Sequence, residues 1–138
     1  MKLGMAVAFF VFAFAASVIP LSAHHSVPAT FDVSKEIRIR GAVTKIEWTN
    51  PHGRFWVDAR NDDGTVSNWE LELPPPTVLK RRVGLGFVKI GDQVTVGLWR
   101  AKDGSLLANT LTLTVQDGGV FNFSRDTTTG WRTLESPK

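Results

Sequence analysis

Three histidines offer the only imidazoles in this 138-residue chain, and two of them, His24 and His25, are adjacent; the third, His52, follows Asn50-Pro51. There is no cysteine, and both methionines, Met1 and Met5, lie at the extreme N-terminus, so any metal chemistry must use nitrogen and oxygen donors. A free N-terminal histidine presents its α-amine and its imidazole to one ion, closing a small chelate ring. One further histidine completes a three-nitrogen set suited to Cu(II) or, less selectively, Zn(II). His24, His25 and His52 are therefore the candidate metal ligands, and copper or zinc the candidate cofactor. The plainer alternative stays open: paired histidines at a terminus are often simply solvated, and a loop histidine after Asn-Pro often bonds a backbone carbonyl.

A second group of candidates lies around Trp56. It shares the parity of Arg54 and Asp58 in RFWVDAR, opposite Phe55 and Val57, and so faces outward. With Asn50 in the preceding loop it could floor a ligand or partner groove, or it could cover a second small core. Glu70 and Glu72 share one strand face, which suits a general acid/base pair, oxygen ligation, or pairing with Arg38, Arg40 or Arg54. Ser26 beside His25 has no third orienting group, and Lys80-Arg81-Arg82 reads as a solvated helix face, so no enzyme activity is indicated.

These residues must be positioned by what surrounds them. From Lys2 to His24 there is no charge between, and the order of one basic residue, an apolar run, Pro20 and small residues is that of a secretory signal. Cleavage after Ala23 makes residues 1–23 the signal peptide, exposes His24 and implies a periplasmic or secreted protein that meets membrane only through its signal. Residues 24–36 read as an extended lead-in with Phe31 tucked on the core, long enough from His25 to Ile37 to reach ~40 Å. Lys2 leaves with the signal, so the sixteen basic residues drop by one against thirteen acidic ones. So even a balance argues against a nucleic-acid partner and leaves a periplasmic protein or a small ligand.

The alternation in IRIRGAV puts Ile37, Ile39, Gly41 and Val43 on one face, and the phase then slips so that Ile46 and Trp48 fall on the opposite parity. One extra residue near Thr44 or Lys45, a β-bulge, makes such a slip. RFWVDAR and VSNWELEL follow as strands joined by the turn NDDGT. Pro74–Pro76 forbid a central strand but suit a first helical turn, so TVLKRRVG reads as a short helix. QVTVGLWRA and ANTLTLTV complete the pattern. Three strands, a helix and two strands predict a mostly β fold, a small five-stranded OB-like antiparallel barrel over 37–123 with a polar tail at 124–138. A six-stranded β-sandwich is the alternative if GGVFNF adds a strand.

The combination AHHS, Phe31-Asp32, GxVxKxEWTNPH, NWxxEL, GDxVTV and AKDGS resembles a family of small exported bacterial proteins carrying a domain of unknown function. The resemblance implies an exported, single-domain, mostly β protein with no established activity. The family's histidines map onto His24, His25 and His52, its Asn-Pro onto Asn50 and Pro51, and its acidic position onto Glu72. The chain departs from the pattern at Gly53-Arg54, which reads as a looser and more polar loop exit, and in its Pro74–Pro76 run.

Overall fold

A computed structural model describes residues 26–124 and 133–134. The elements in chain order are α1 (Val27–Thr30), β1 (Phe31–Glu47), β2 (Arg54–Arg60), β3 (Val66–Glu72), α2 (Pro76–Arg82), β4 (Gln93–Ala101), β5 (Leu107–Val115), β6 (Val120–Asn122) and β7 (Thr133–Leu134). The expected signal peptide, residues 1–23, and the histidines His24 and His25 lie outside the described residues.

Strand β1 pairs antiparallel with β2 on one side and with β4 on the other; β2 pairs with β3, and β4 with β5. The circuit closes where β3 and β5 pair in parallel, Glu70 opposite Leu107 and Glu72 opposite Asn109. A ring of five strands with a helix between β3 and β4 is the OB-like arrangement expected from the sequence. It also corrects the sandwich alternative. GGVFNF does form β6, but that strand adds to the edge of β5, and among the described residues no second sheet is stacked on the first.

The ring works because β1 bends. Gly41 pairs with Ala59 of β2 and with Val94 of β4, and a Cβ there would collide with the carbonyl of Asp58. Only glycine permits that approach. Two residues on, the register with β2 shifts: Val43 faces Val57, Thr44 is the extra residue, and Lys45 faces Trp56. The bulge read from the phase slip is therefore present, and its effect is to send Lys45 outward while Ile46 turns toward the interior.

Inside the ring the inward positions of every strand meet. Phe55, Val57, Leu71, Val96, Leu98 and Leu113 are all fully buried, and Leu79 of α2 closes one end. Burying each such side chain contributes about 1.5–3 kcal/mol. Lys80, Arg81 and Arg82 stay on the exposed side of α2, as its periodicity predicts. An aromatic group extends this end of the core: Phe87 lies 5.9 Å from Trp48, 5.0 Å from Phe121 and 5.9 Å from Phe123 between ring centroids.

Both flanks of the domain differ from expectation. Phe31 is 3% exposed and pairs with Ala101, so β1 begins there and not at Ile37. Ahead of it, α1 is a single helical turn tied to the β4–β5 loop by the Lys102 amide donating to Thr30 O at 3.0 Å and Lys102 Nζ donating to Pro28 O at 2.7 Å. Beyond Ser124, Thr133–Leu134 pair with Phe121 and Val120 of β6, within the stretch expected as a polar tail. Among the described residues no helix is long and apolar enough to cross a membrane.

Candidate functional site

The bulge at Thr44 and the hairpin register of β2 and β3 set three rows of side chains on the outer face of the β1–β2–β3 sheet. Glu47, Arg54 and Glu72 form the first, Lys45, Trp56 and Glu70 the second, and Asp58 with Asn68 the third. Trp56 sits at the centre, half-buried.

Each charge in these rows has a partner. Lys45 Nζ lies 4.2 Å from the centroid of the Trp56 ring and 2.6 Å from Glu47 Oε1. The guanidinium of Arg54 spans two carboxylates, Glu70 at 3.1 Å and Glu72 at 3.8 Å. Asn68 Nδ2 donates to Asp58 Oδ1 at 2.6 Å. Of the three arginines offered by the sequence as partners for Glu70 and Glu72, it is Arg54 that takes the role. Because these groups are partly open to solvent, each ion pair contributes about 1 kcal/mol, and the ammonium over the indole a similar amount. What the network supplies is fixed orientation around one aromatic ring.

Two loops border this face. In the β1–β2 loop, Asn50 and His52 are exposed and the Asn50-Pro51 peptide is cis. The expected looseness at its exit is corrected by Gly53, which is buried, donates to Pro74 O at 3.2 Å and accepts from the Leu73 amide at 2.8 Å. A Cβ at Gly53 would stand 3.1 Å from the Trp48 ring, so the missing side chain lets the loop close on that indole. In the β4–β5 loop, hydrogen bonds from the backbone and hydroxyl of Ser105 hold the Asp103 carboxyl below its ordinary pKa. Leu106 O in the same loop accepts from the Glu70 amide at 2.9 Å, so this loop is joined to the middle of β3.

The structure thus brings Trp56 and Glu72 to one face, bridged by Arg54, with Asn50 and His52 in the adjoining loop. His52 Nδ1 lies 3.3 Å from Leu73 O. A carbonyl only accepts, so Nδ1 is the donor in that bond, and the tautomer it selects is the one with Nε2 unprotonated. Among the described residues no group of three histidine, aspartate or glutamate side chains is placed to hold a metal ion. The reach assigned to the N-terminal lead-in also shortens. With Pro28 O already bound to Lys102, the chain from His25 to its first anchored residue extends only ~10 Å.

Lys45 and Glu47 are the members of the face that reading the sequence missed. The signal for Lys45 was present in the phase slip, which moves it onto the parity of Trp56 once Thr44 is taken as the inserted residue.

A family model described as a family of unknown function, DUF6152, matches residues 13–110. No curated protein matches the chain. Among solved structures, the mitochondrial single-stranded DNA-binding protein Rim1 of S. cerevisiae is similar at 12% identity and a TM-score of 0.47, over 59% of this chain and 93% of its own. The exclusion of nucleic acid drawn above from the net charge is corrected on this finding. Net charge sums a whole surface whereas binding is local, so the balance of charges gives no ground for excluding that class. At this identity the likeness says nothing of what the present chain binds.

Proposed function

Starting from a chain that belongs to the DUF6152 family of unknown function, we propose that it is an exported, non-enzymatic binding module whose working surface is the outer face of β1–β2–β3. The observation that carries this reading is Trp56, a half-buried tryptophan on the outside of a sheet, held in a frame of paired charges and bordered by the β1–β2 and β4–β5 loops. An apolar ring kept facing solvent gains little for folding, while it supplies a flat contact with low conformational entropy for a partner. OB-like folds commonly use the face of strands 2 and 3 together with these two loops to hold extended chains. Titration of isotope-labelled protein with extended peptides and oligosaccharides tests the reading. Amide shifts centred on Lys45, Trp56 and Glu70, abolished by Trp56→Ala, are expected. Shifts confined to β4 and β5 would overturn it.

A second reading rests on His52. Its Nδ1 bond to Leu73 O fixes the ring and directs the Nε2 lone pair elsewhere, as the outer hydrogen bond of a metal-ligating histidine does. On this reading His24, as the mature N-terminal residue, and His25 supply the remaining nitrogens to Cu(II) or Zn(II). In protein processed after Ala23, His52→Ala should weaken Cu(II) binding by at least about tenfold. Micromolar or weaker binding that ignores His52 removes this reading.

A further inference from the structure

The Trp56 face has an occupant already, and its chemistry is informative. Lys45 places an ammonium over the indole at 4.2 Å while Glu47 neutralises it at 2.6 Å. Both side chains are substantially exposed, 56% and 40%, and the lysine stem is flexible, so the ammonium can leave without disturbing the core. What it leaves behind is an electron-rich ring with a carboxylate at its edge. One row further, Arg54 holds a similar position between Glu70 and Glu72. Across these three rows four carboxylates, from Glu47, Asp58, Glu70 and Glu72, stand against the two cations of Lys45 and Arg54, with Arg60 one row beyond Asp58.

We infer that this face receives the basic side chains of an extended peptide segment, with Lys45 as the resident stand-in that a ligand lysine or arginine displaces. The inference rests on the reading of this face as the binding surface and names the chemistry of its partner. Charge complementarity selects the occupant: displacing both resident cations uncovers four carboxylates around one tryptophan, a surface that attracts cations and repels acidic chains. The spacing also fits. Trp56 and Arg54 are two residues apart on β2, about 7 Å, which is the spacing of alternate side chains on an extended peptide. A segment with lysines at every second position therefore presents one ammonium to the indole and Glu47, and the next to Glu70 and Glu72.

The experiment uses the full processed chain and a synthetic peptide of alternating lysine and threonine, compared with the same peptide acetylated on every lysine. Binding is followed by calorimetry and by the amide shifts of the face. Acetylation should weaken binding by about tenfold or more, because it removes the charge while keeping the stem. Lys45→Met should tighten binding severalfold by removing the competitor. Trp56→Phe should lie between wild type and Trp56→Ala, since indole is the best of the aromatic rings for a cation. Equal affinity for the two peptides, or weaker binding by Lys45→Met, overturns the inference. If the acetylated peptide or a neutral oligosaccharide binds at Trp56 as well as the lysine peptide or better, the basic occupant is wrong while the binding face stands. If no probe perturbs Trp56, both fall. Concentration-dependent self-association abolished by Arg38→Glu would assign the face to a second copy of this chain and equally overturn the peptide.

Discussion

The strand β1 contributes to two outward faces that a period of two cannot tell apart, and they are built differently. Its second half joins β2 and β3 in the face of Trp56, where long charged side chains are paired across strands. Its first half joins β4 and β5 in a face where the long side chains of β1 lie beside short ones on the other two strands. There Arg38 lies opposite Gly97 and Arg40 opposite Thr95, with Thr112 and Thr114 on the next strand. Arg40 Nε reaches Thr95 Oγ1 at 3.4 Å, and Glu36 lies over Gly97. Alternation fixes only which side chains leave the core; whether the resulting surface is a flat polar ladder or an aromatic platform depends on size and charge, residue by residue. The two faces also differ in sign, carboxylates prevailing around Trp56 and guanidiniums along the start of β1.

The junction between them is the place to break this contrast most severely. Gly41→Ala pushes a methyl group into the backbone of Asp58, which has no flexible end to yield, and should cost about 3 kcal/mol in chemical denaturation. A loss smaller than about 1 kcal/mol would show that β1 does not need its bend to serve both faces. Gly97→Ala is the matched control on the Arg38 face. Its methyl would meet Thr112 Oγ1 at 2.5 Å and Glu36 Oε1 at 2.7 Å, both ends of side chains that can rotate away, so a loss below about 1 kcal/mol is expected.

The smallest effect is expected at the turns that end each face. The hydroxyl and then the backbone N–H of Thr65 hold the Asp63 carboxyl below its ordinary value of 3.8, and Ser105 does the same for Asp103. A carboxyl with a depressed folded-state pKa binds its proton more readily in the unfolded chain. Its stabilisation is therefore complete above the ordinary value and is lost as pH falls below it toward the folded value. Asp63→Asn and Asp103→Asn should each lower stability slightly at neutral pH and flatten the acid limb of a stability–pH curve, so that variant and wild type converge as pH falls below about 4. A difference between the two variants would show that the faces are not equally well closed.

Local features were legible in the sequence to the extent that they are set by neighbours along the chain. Alternation placed Val57, Trp69, Leu71 and Leu113 inward, and the slipped phase located the bulge. Asp63-Gly64 marked the hairpin, where Gly64 has φ 84°. The prolines marked the start of α2, which begins at Pro76. What the sequence could not carry was set by partners far along it. Gly53 reads as a loose exit until Pro74 and Leu73 are seen to bind it. The early start of β1 follows from Phe31 finding Ala101, and the lead-in is shortened by Lys102. The candidate site was legible in the same measure: Trp56 and Glu72 by parity, and the lysine over the indole only once the pairing of β1 with β2 was known.

The parallel pairing of Glu70 with Leu107 joins segments separated by a helix and an entire strand. During folding the hydrogen-bonding edge of β3 stays open until β5 docks. A fragment ending before Leu107 would retain every member of the Trp56 platform and yet present that bare edge, a template for aggregation. The assembly is thus vulnerable until β5 finds that edge.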